Sequence, residues 1–307
     1  MERVVLIDLG SNAVRFALAG VTPGRSFRLF DEARVQTRLA AGRRGALPIA
    51  GVAATVAAVR RFLARVDDGR PLRVVAAATS AVRDAPNAHR LIDRQRRVAG
   101  IEVEVLGWEE EARLGAVAAL SSLPVREAIV ADLGGGSLQL TSVREGEIVP
   151  MVSLPLGAVR VTRRFLRHDP PRDAEVATLR HHVRELVLSS LRMMPGASVR
   201  LVGLGGTVRT LARVHLRTGH GRRSTIHGLS LDRAQVSALV VRLQGLPLRR
   251  RRRITGLKAE RADIIVAGAI VLEEVMALGG FPTLTVCERG VRHGLLIRET
   301  FGMEKPR

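Results

Sequence analysis

The stretch Val130-Ala-Asp-Leu-Gly-Gly-Gly-Ser-Leu-Gln-Leu140 decides how this chain is read. An apolar run of β character ends in Asp132, three glycines follow, and Ser137 opens a second alternating run. The pattern spells two strands joined by a tight turn that carries one carboxylate and one hydroxyl. With no Cβ in the way, successive backbone N–H groups of such a turn can converge on an anion. A carboxylate in the same turn repels phosphate, so its presence points to a bridging divalent cation. A plain glycine-rich hairpin turn is the competing reading. A partial copy weighs against it: Val5-Leu-Ile-Asp-Leu-Gly-Ser-Asn12 repeats the order apolar run, Asp, Leu, Gly, polar turn.

Outward from this stretch, residues 3–9, 13–19 and 27–35 read as a three-strand meander, followed by a Gly/Arg-rich loop at 40–45. A helix at 49–66 has Val52, Val56, Val59 and Leu63 on one face. Strands at 72–78 and 101–106 then alternate with helices at 86–98 and 108–120. After a linker at 121–125 the order restarts. Strands at 127–132, 138–143 and 147–154 form a second meander. Helices at 157–166 and 174–193 flank the Pro170-Pro171 break. A strand at 199–203, helices at 205–216, 230–243 and 259–278, a strand at 283–286 and a helix at 289–300 complete the chain.

This order predicts an α/β protein of two actin-like (ribonuclease-H-like) domains from an internal duplication, residues 1–122 and 123–307. The helix at about 290–307 is expected to pack back on the first domain. The two Asp-Leu-Gly turns are expected to face one another across an interdomain cleft holding the active site.

The 307 residues are 46% hydrophobic, enough for a sizeable core in each of two domains. No apolar run reaches the roughly 18 residues of a membrane span. The Met-Glu-Arg start enters a strand at once and leaves no signal peptide, so a cytoplasmic location with no membrane partner is expected. A single cysteine, Cys287, excludes an intramolecular disulfide and a multi-Cys zinc site. The net charge of +20, carried almost entirely by Arg, attracts polyanions whatever its coding origin. At 3% aromatic content and no Tyr, platforms for base stacking are scarce, which argues against nucleic acid and for phosphate-rich ligands.

Further segments carry candidate chemistry. Thr79-Ser-Ala-Val-Arg-Asp-Ala-Pro-Asn87 follows a strand and opens a helix, where amides and hydroxyls favour an anion and Arg83 can contact phosphate oxygens; simple helix capping with Arg83 in solvent is the alternative. Glu109-Glu110-Glu111 suits a helix first turn, and one of the three could serve as a general base toward water. Composition and spacing do not choose among them. Gly205, Gly206 and Thr207, between a strand and a helix, form another anion-nest pattern. The run of arginines at 249–253 is either a solvated helix start or a landing strip for a long polyanion.

Taken together, these segments resemble the exopolyphosphatase and guanosine pentaphosphate phosphohydrolase (Ppx/GppA) family in its short, two-domain form. The resemblance runs through Ile7-Asp-Leu-Gly-Ser-Asn12, the Thr79–Asn87 segment, Glu110-Glu-Ala-Arg-Leu114 and Val130-Ala-Asp-Leu-Gly-Gly-Gly-Ser137. It continues through Ser153-Leu-Pro-Leu-Gly157, Gly205-Gly-Thr207, Ile226-His-Gly228, Arg261-Ala-Asp-Ile-Ile265 and Glu288-Arg-Gly-Val-Arg292. It implies Mg²⁺-dependent hydrolysis of terminal phosphoanhydride bonds. Glu111 takes the position of the catalytic glutamate, and Asp132 supports the metal with Asp8 assisting. Ser11, Asn12, Gly134, Gly135, Gly136 and Ser137 cradle phosphate, and Arg83 clamps it. Three positions depart from the family pattern: Gln139 stands where a metal-binding glutamate is usual, Trp108 where glycine is common, and Ala13 where serine is frequent.

The leading expectation is an exopolyphosphatase releasing orthophosphate from inorganic polyphosphate. The alternatives are a guanosine pentaphosphate 5′-phosphohydrolase and, because of Gln139, a weakly catalytic nucleotide or polyphosphate sensor. A homodimer is left open.

Overall fold

The computed structural model describes residues 1–42, 45–191, 199–218 and 225–303. Two sheets carry the chain, and each is founded on a buried strand that opens a meander. Strand β1 (Glu2–Leu9) is buried from Val4 to Leu9, on both faces, which is why it reads as an unbroken apolar run. It pairs antiparallel with β2 (Ala13–Thr22), and β2 pairs antiparallel with β3 (Ser26–Gln36), an edge strand that alternates outward and half-buried residues. On its other side β1 pairs in parallel with β4 (Arg73–Ala78), and β4 with β5 (Val103–Val105). The order is β3-β2-β1-β4-β5. Helix α1 (Ile49–Val66) buries Val52, Val56, Val59 and Phe62, and Phe62 stacks on Phe16 of β2 with centroids 4.5 Å apart. The one-turn helix α2 (Ser80–Arg83), α3 (Ala88–Arg94) and α4 (Trp108–Leu120) make the remaining connections.

The second sheet repeats the plan. Strands β6 (Ala128–Leu133), β7 (Leu138–Arg144) and β8 (Glu147–Leu154) form the meander. Helices α5 (Ala158–Phe165) and α6 (Asp173–Leu191) lead to β9 (Arg200–Leu204), which lies parallel to β6. Then come α7 (Gly205–Thr218), β10 (Ser230–Asp232), α8 (Arg233–Gln244), α9 (Leu248–Arg251), α10 (Ile265–Leu278), β11 (Thr283–Val286) and α11 (Val291–Phe301). The order is β10-β11-β9-β6-β7-β8. A meander continued by parallel strands, present twice, is the duplicated actin-like α/β architecture the sequence predicts.

The chain divides into two compact units: Met1–Leu114 with Val291–Arg307, and Gly115–Gly290. In the second, α10 is buried almost throughout, so its apolar residues show no amphipathic stripe. Its one buried acid, Glu274, is held by Arg180 at 2.6 Å and Arg184 at 2.7 Å. Removing both arginines would leave a desolvated carboxylate uncompensated, a loss of about 3 kcal/mol or more, whereas removing one leaves the other in place.

Two expected helices are corrected. The one over 230–243 begins as β10, a three-residue strand paired with β11, and turns helical only after Asp232, whose side chain closes a capping box with Gln235. The one over 259–278 is a 3₁₀ turn at Ala259–Arg261 followed by α10 from Ile265. The helix expected at 174–193 is α6 as far as Leu191; 192 and 193 lie outside the described residues, as do 43 and 44 of the loop expected at 40–45.

Candidate active site

In the first unit the β1–β2 turn and the start of α4 carry the candidate groups. Asp8, next to last in β1, is 2% exposed and faces Arg15 directly across the ladder; Arg15 Nη1 donates to Asp8 Oδ2 at 2.8 Å. In the turn, Ser11 and Ser80 share a hydrogen bond between hydroxyl oxygens at 3.1 Å, which ties this loop to the β4–α2 turn. Thr79 occupies the N-cap of α2, with no side-chain capping bond. Asn12 Oδ1 accepts from Gln36 at 3.4 Å, while Asn12 Nδ2 is a buried donor with no partner among the described residues. An unmet buried donor costs about 1–3 kcal/mol, a cost a bound acceptor would relieve.

The three acids at the start of α4 separate by environment. Glu109 is exposed. Glu110 Oε1 accepts from Arg298 of α11 at 3.2 Å, and the same guanidinium donates to Glu104 at 2.9 Å. Glu111 is 7% exposed, and Arg83 Nη1 donates to its Oε2 at 2.7 Å and to the Leu106 carbonyl at 3.0 Å. Neighbouring helix residues point about 100° apart, so two arginines meeting adjacent acids fix the rotation of this turn. Arg83 is therefore neither a solvent residue nor a simple cap: it orients Glu111. At the first turn of α11, Arg292 donates to the Phe16 carbonyl at 2.8 Å and to Glu32. Burial pulls its guanidinium below the ordinary value; Glu32 opposes that fall and Arg15 adds to it.

In the second unit Asp132 is next to last in β6 and faces Gln139 across the ladder. Space for its carboxylate comes from two glycines. A Cβ on Gly205 would stand 3.2 Å from Asp132 Oδ1, and one on Gly115 3.5 Å from Oδ2. Gly205 has φ +95° and lies so close to the Leu133 carbonyl that a Cβ would come within 2.2 Å. The carboxylate thus sits at the N-terminal end of α7, where the helix dipole favours negative charge.

The three-glycine turn does more than offer amides to an anion. The amides of Ala158, Val159 and Arg160, at the start of α5, donate to the carbonyls of Gly134 and Gly135 at 3.0–3.1 Å. The turn's oxygens are consumed in capping α5, while the amides of Gly135 and Gly136 have no backbone partner among the described residues. Gly157 closes this packing, since a Cβ there would come within 2.2 Å of Gly136. Ser137 is 4% exposed, and its Oγ accepts from Gln139 Nε2 at 2.9 Å. Thr207 is fully buried at the helix start, its hydroxyl facing Gly268 of α10 and without a hydrogen-bond partner among the described residues. Arg261 lies over Gly206: a Cβ there would come within 2.2 Å of its guanidinium.

For a divalent cation the second turn presents one carboxylate, Asp132, and the amide oxygen of the 2%-exposed Gln139. Among the described residues there is no cluster of three or more His, Cys, Asp or Glu suited to a metal. That sparse donor set fits Mg²⁺ held largely by water and phosphate oxygens, which commonly takes only one or two protein carboxylates. Asp8 is engaged by Arg15 through one oxygen. Sequence reasoning missed Arg15 and Arg298, and it quoted Arg261 and Arg292 within motifs without assigning them contacts. The ladder register signals only Arg15, because the others arrive from distant segments.

The fold is thus a duplicated actin-like one, with a glycine turn whose amides lack backbone partners among the described residues and a buried acid held by an arginine. The chain belongs to the Ppx/GppA phosphatase family, whose model matches residues 19–301. It is 33% identical over 316 aligned residues to exopolyphosphatase 2 of Mycobacterium tuberculosis, covering 97% of this chain and 98% of that one. It is 31% identical to exopolyphosphatase 1 of Mycobacterium bovis, covering 97% and 88%. The crystal structure of the Aquifex aeolicus Ppx/GppA family member superposes with a TM-score of 0.80 at 28% identity, covering 97% of each chain. An exopolyphosphatase structure from Cytophaga hutchinsonii has the same fold, with a TM-score of 0.90 at 24% identity over 99% of each chain.

Proposed function

We propose that this protein is an exopolyphosphatase that hydrolyses the terminal phosphoanhydride bond of inorganic polyphosphate with water. The observation that carries the reading is Glu111, a buried carboxylate held by Arg83 at 2.7 Å at the start of α4. In this role Glu111 accepts the proton of the attacking water, and the new P–O bond forms as the bond to the bridging oxygen breaks. Arg83 keeps the carboxylate aimed and has its second terminal nitrogen left for a phosphate oxygen. Asn12 Nδ2 and the amides of Gly135 and Gly136 supply donors for phosphate. Asp132 and Gln139 are the residues of the second unit that would hold Mg²⁺, which when bound neutralises charge on the phosphates, and Asp8 is the candidate metal-binding carboxylate of the first. No described helix is long and apolar enough to cross a membrane.

The +20 charge and the 3% aromatic content favour a base-free polymer over guanosine pentaphosphate. Gln139 favours a second reading, in which the protein binds polyphosphate with little turnover. A glutamate there would place a second carboxylate opposite Asp132 and call for a cation, whereas the amide does not.

The test is phosphate release from polyphosphate, guanosine pentaphosphate and ATP with and without Mg²⁺. Release from polyphosphate is expected, and Glu111→Gln should abolish it while the circular dichroism spectrum is unchanged. Release that survives the substitution would sink the assignment of the base. Tight polyphosphate binding without release would favour the sensor.

A further inference from the structure

The arginine run 249–253 takes no part in either turn, yet it is built to a definite shape. Arg251 points inward: it is 4% exposed and donates to Asp169 Oδ1 at 2.7 Å, while the other oxygen of Asp169 accepts the Leu248 amide at 2.7 Å. Leu248, Ile254 and Leu257 pack into the core of the second unit. The amides of Arg250 and Arg251 donate to the Pro247 carbonyl, and that of Arg252 to Leu248, at 2.9–3.0 Å. Backbone and anchor are therefore fixed. The four flanking arginines, 249, 250, 252 and 253, are exposed, and none forms an ion pair among the described residues.

Side chains three apart on a helical turn are neighbours, so these cations repel one another, and the carboxylate at this turn, Asp169, is bonded to Arg251 and the Leu248 amide rather than to them. Some other arginines at or near the surface do meet acids, as Arg96 does Glu102 and Arg213 does Glu288. A rigid, unneutralised ridge creates a standing positive potential that a polyanion relieves. The ridge also connects to the glycine turns of its own unit. Residues 254–261 run from it to Arg261, which lies over Gly206. Midway, the Gly256 backbone presses on α7 at Arg213. From Gly205 to Arg213 an α-helix rises about 12 Å, a span a long polymer covers and a short one does not.

We infer that Arg249, Arg250, Arg252 and Arg253 form a docking ridge for the tail of a long polyphosphate chain whose end is processed at the glycine turns. The second clause rests on the function proposed above; the ridge itself is defined by charge and exposure. Nucleic acid is the less suitable polyanion, because the ridge has no aromatic side chain on which bases could stack.

The experiment replaces all four arginines with glutamine, keeps Arg251, and uses the full chain. A second variant with lysine at the same positions preserves charge. Binding of long-chain polyphosphate and of tripolyphosphate is measured by competition, together with phosphate release from each. The glutamine variant is expected to weaken long-chain binding about tenfold or more, given the modest worth of each exposed ion pair and their number. Its salt dependence should become shallower by roughly one unit of slope for each arginine that no longer meets a phosphate. Tripolyphosphate should be handled as by the parent protein, and the lysine variant should bind long chains normally. Unchanged long-chain binding, or equal weakening on both substrates, overturns the ridge. So does single-stranded RNA displacing long-chain polyphosphate at lower concentration than polyphosphate itself. A parent protein that releases no phosphate refutes the function proposed above, and the ridge is still decided by the binding arm.

Discussion

The two polar turns share a backbone plan and differ in how their aspartate is answered across the ladder. Asp8 faces a cation, Arg15, at 2.8 Å; Asp132 faces the neutral amide of Gln139, which is turned toward Ser137. The first turn keeps side chains, and Ser11 and Asn12 reach Ser80 and Gln36. The second is almost bare backbone, spending the carbonyls of Gly134 and Gly135 on α5 and leaving the amides of Gly135 and Gly136 without backbone partners among the described residues. Duplication therefore has not produced two equal sites. One turn is a neutralised, side-chain-rich bracket, and the other is a nearly bare backbone with unpaired amides and a carboxylate at its edge.

That contrast can be broken in several ways. The largest effect is expected from Asp132→Asn, which removes the charge that Gln139 does not replace; kcat for phosphate release should fall about 100-fold or more. Asp8→Asn should cost under about tenfold in kcat, since Asp8 is already neutralised, so equal losses for the two would erase the distinction. Next in size, Arg15→Gln makes the first turn resemble the second. It leaves a 2%-exposed carboxylate without its cation, and thermal melting should report a loss of about 1–3 kcal/mol. Gly157→Ala tests the bare turn alone. Its Cβ would meet Gly136 within 2.2 Å, and a backbone shift costing about 1–3 kcal/mol should lower Tm. Smaller still, Gln139→Glu should lower the Mg²⁺ concentration for half-maximal activity several-fold and, without Mg²⁺, reduce stability by up to about 1 kcal/mol as two carboxylates oppose each other.

The smallest effect is at Cys287. Burial pushes its thiol above the ordinary value of 9.0; bonds with Ser122 and the Arg289 carbonyl oppose this, and the Asp132 charge adds to it. A raised folded value means the thiol contributes stability below about pH 9 that is lost as pH rises through the folded value. Alkylation should therefore be slow at neutral pH and slightly faster in Asp132→Asn, with no such change in Asp8→Asn.

Much of the fold is legible because burial writes itself into periodicity. The unbroken apolar run of β1 and the valine face of α1 are patterns that only a few structures satisfy. Strand β10 is not legible, because three residues carry no period and their strand character comes from pairing with β11. The same limit applies to the site. Its glycines and its aspartates stand in local motifs, and so does the acidic run at 109–111. What singles out Glu111 is a pair of arginines, Arg83 and Arg298, that reach adjacent acids from far apart in the chain. Local sequence records neither pairing. The carbonyl capping of α5 is equally hidden, since glycines reveal an open backbone but not the direction of its dipoles.

Arg298 also bears on the order in which the protein matures. Gly115–Gly290 is a single uninterrupted run, whereas the unit that holds Glu111 is completed by Val291–Arg307. During synthesis the later-made unit can close as soon as it clears the ribosome, while the earlier one waits for Arg298. At about 5–20 residues per second, that wait is on the order of 10 to 40 s. Until then Glu110 lacks its clasp and the acidic turn beside it is unset. The nascent chain therefore gains the clasp on Glu110 last, long after Arg83, the partner of Glu111, has been made.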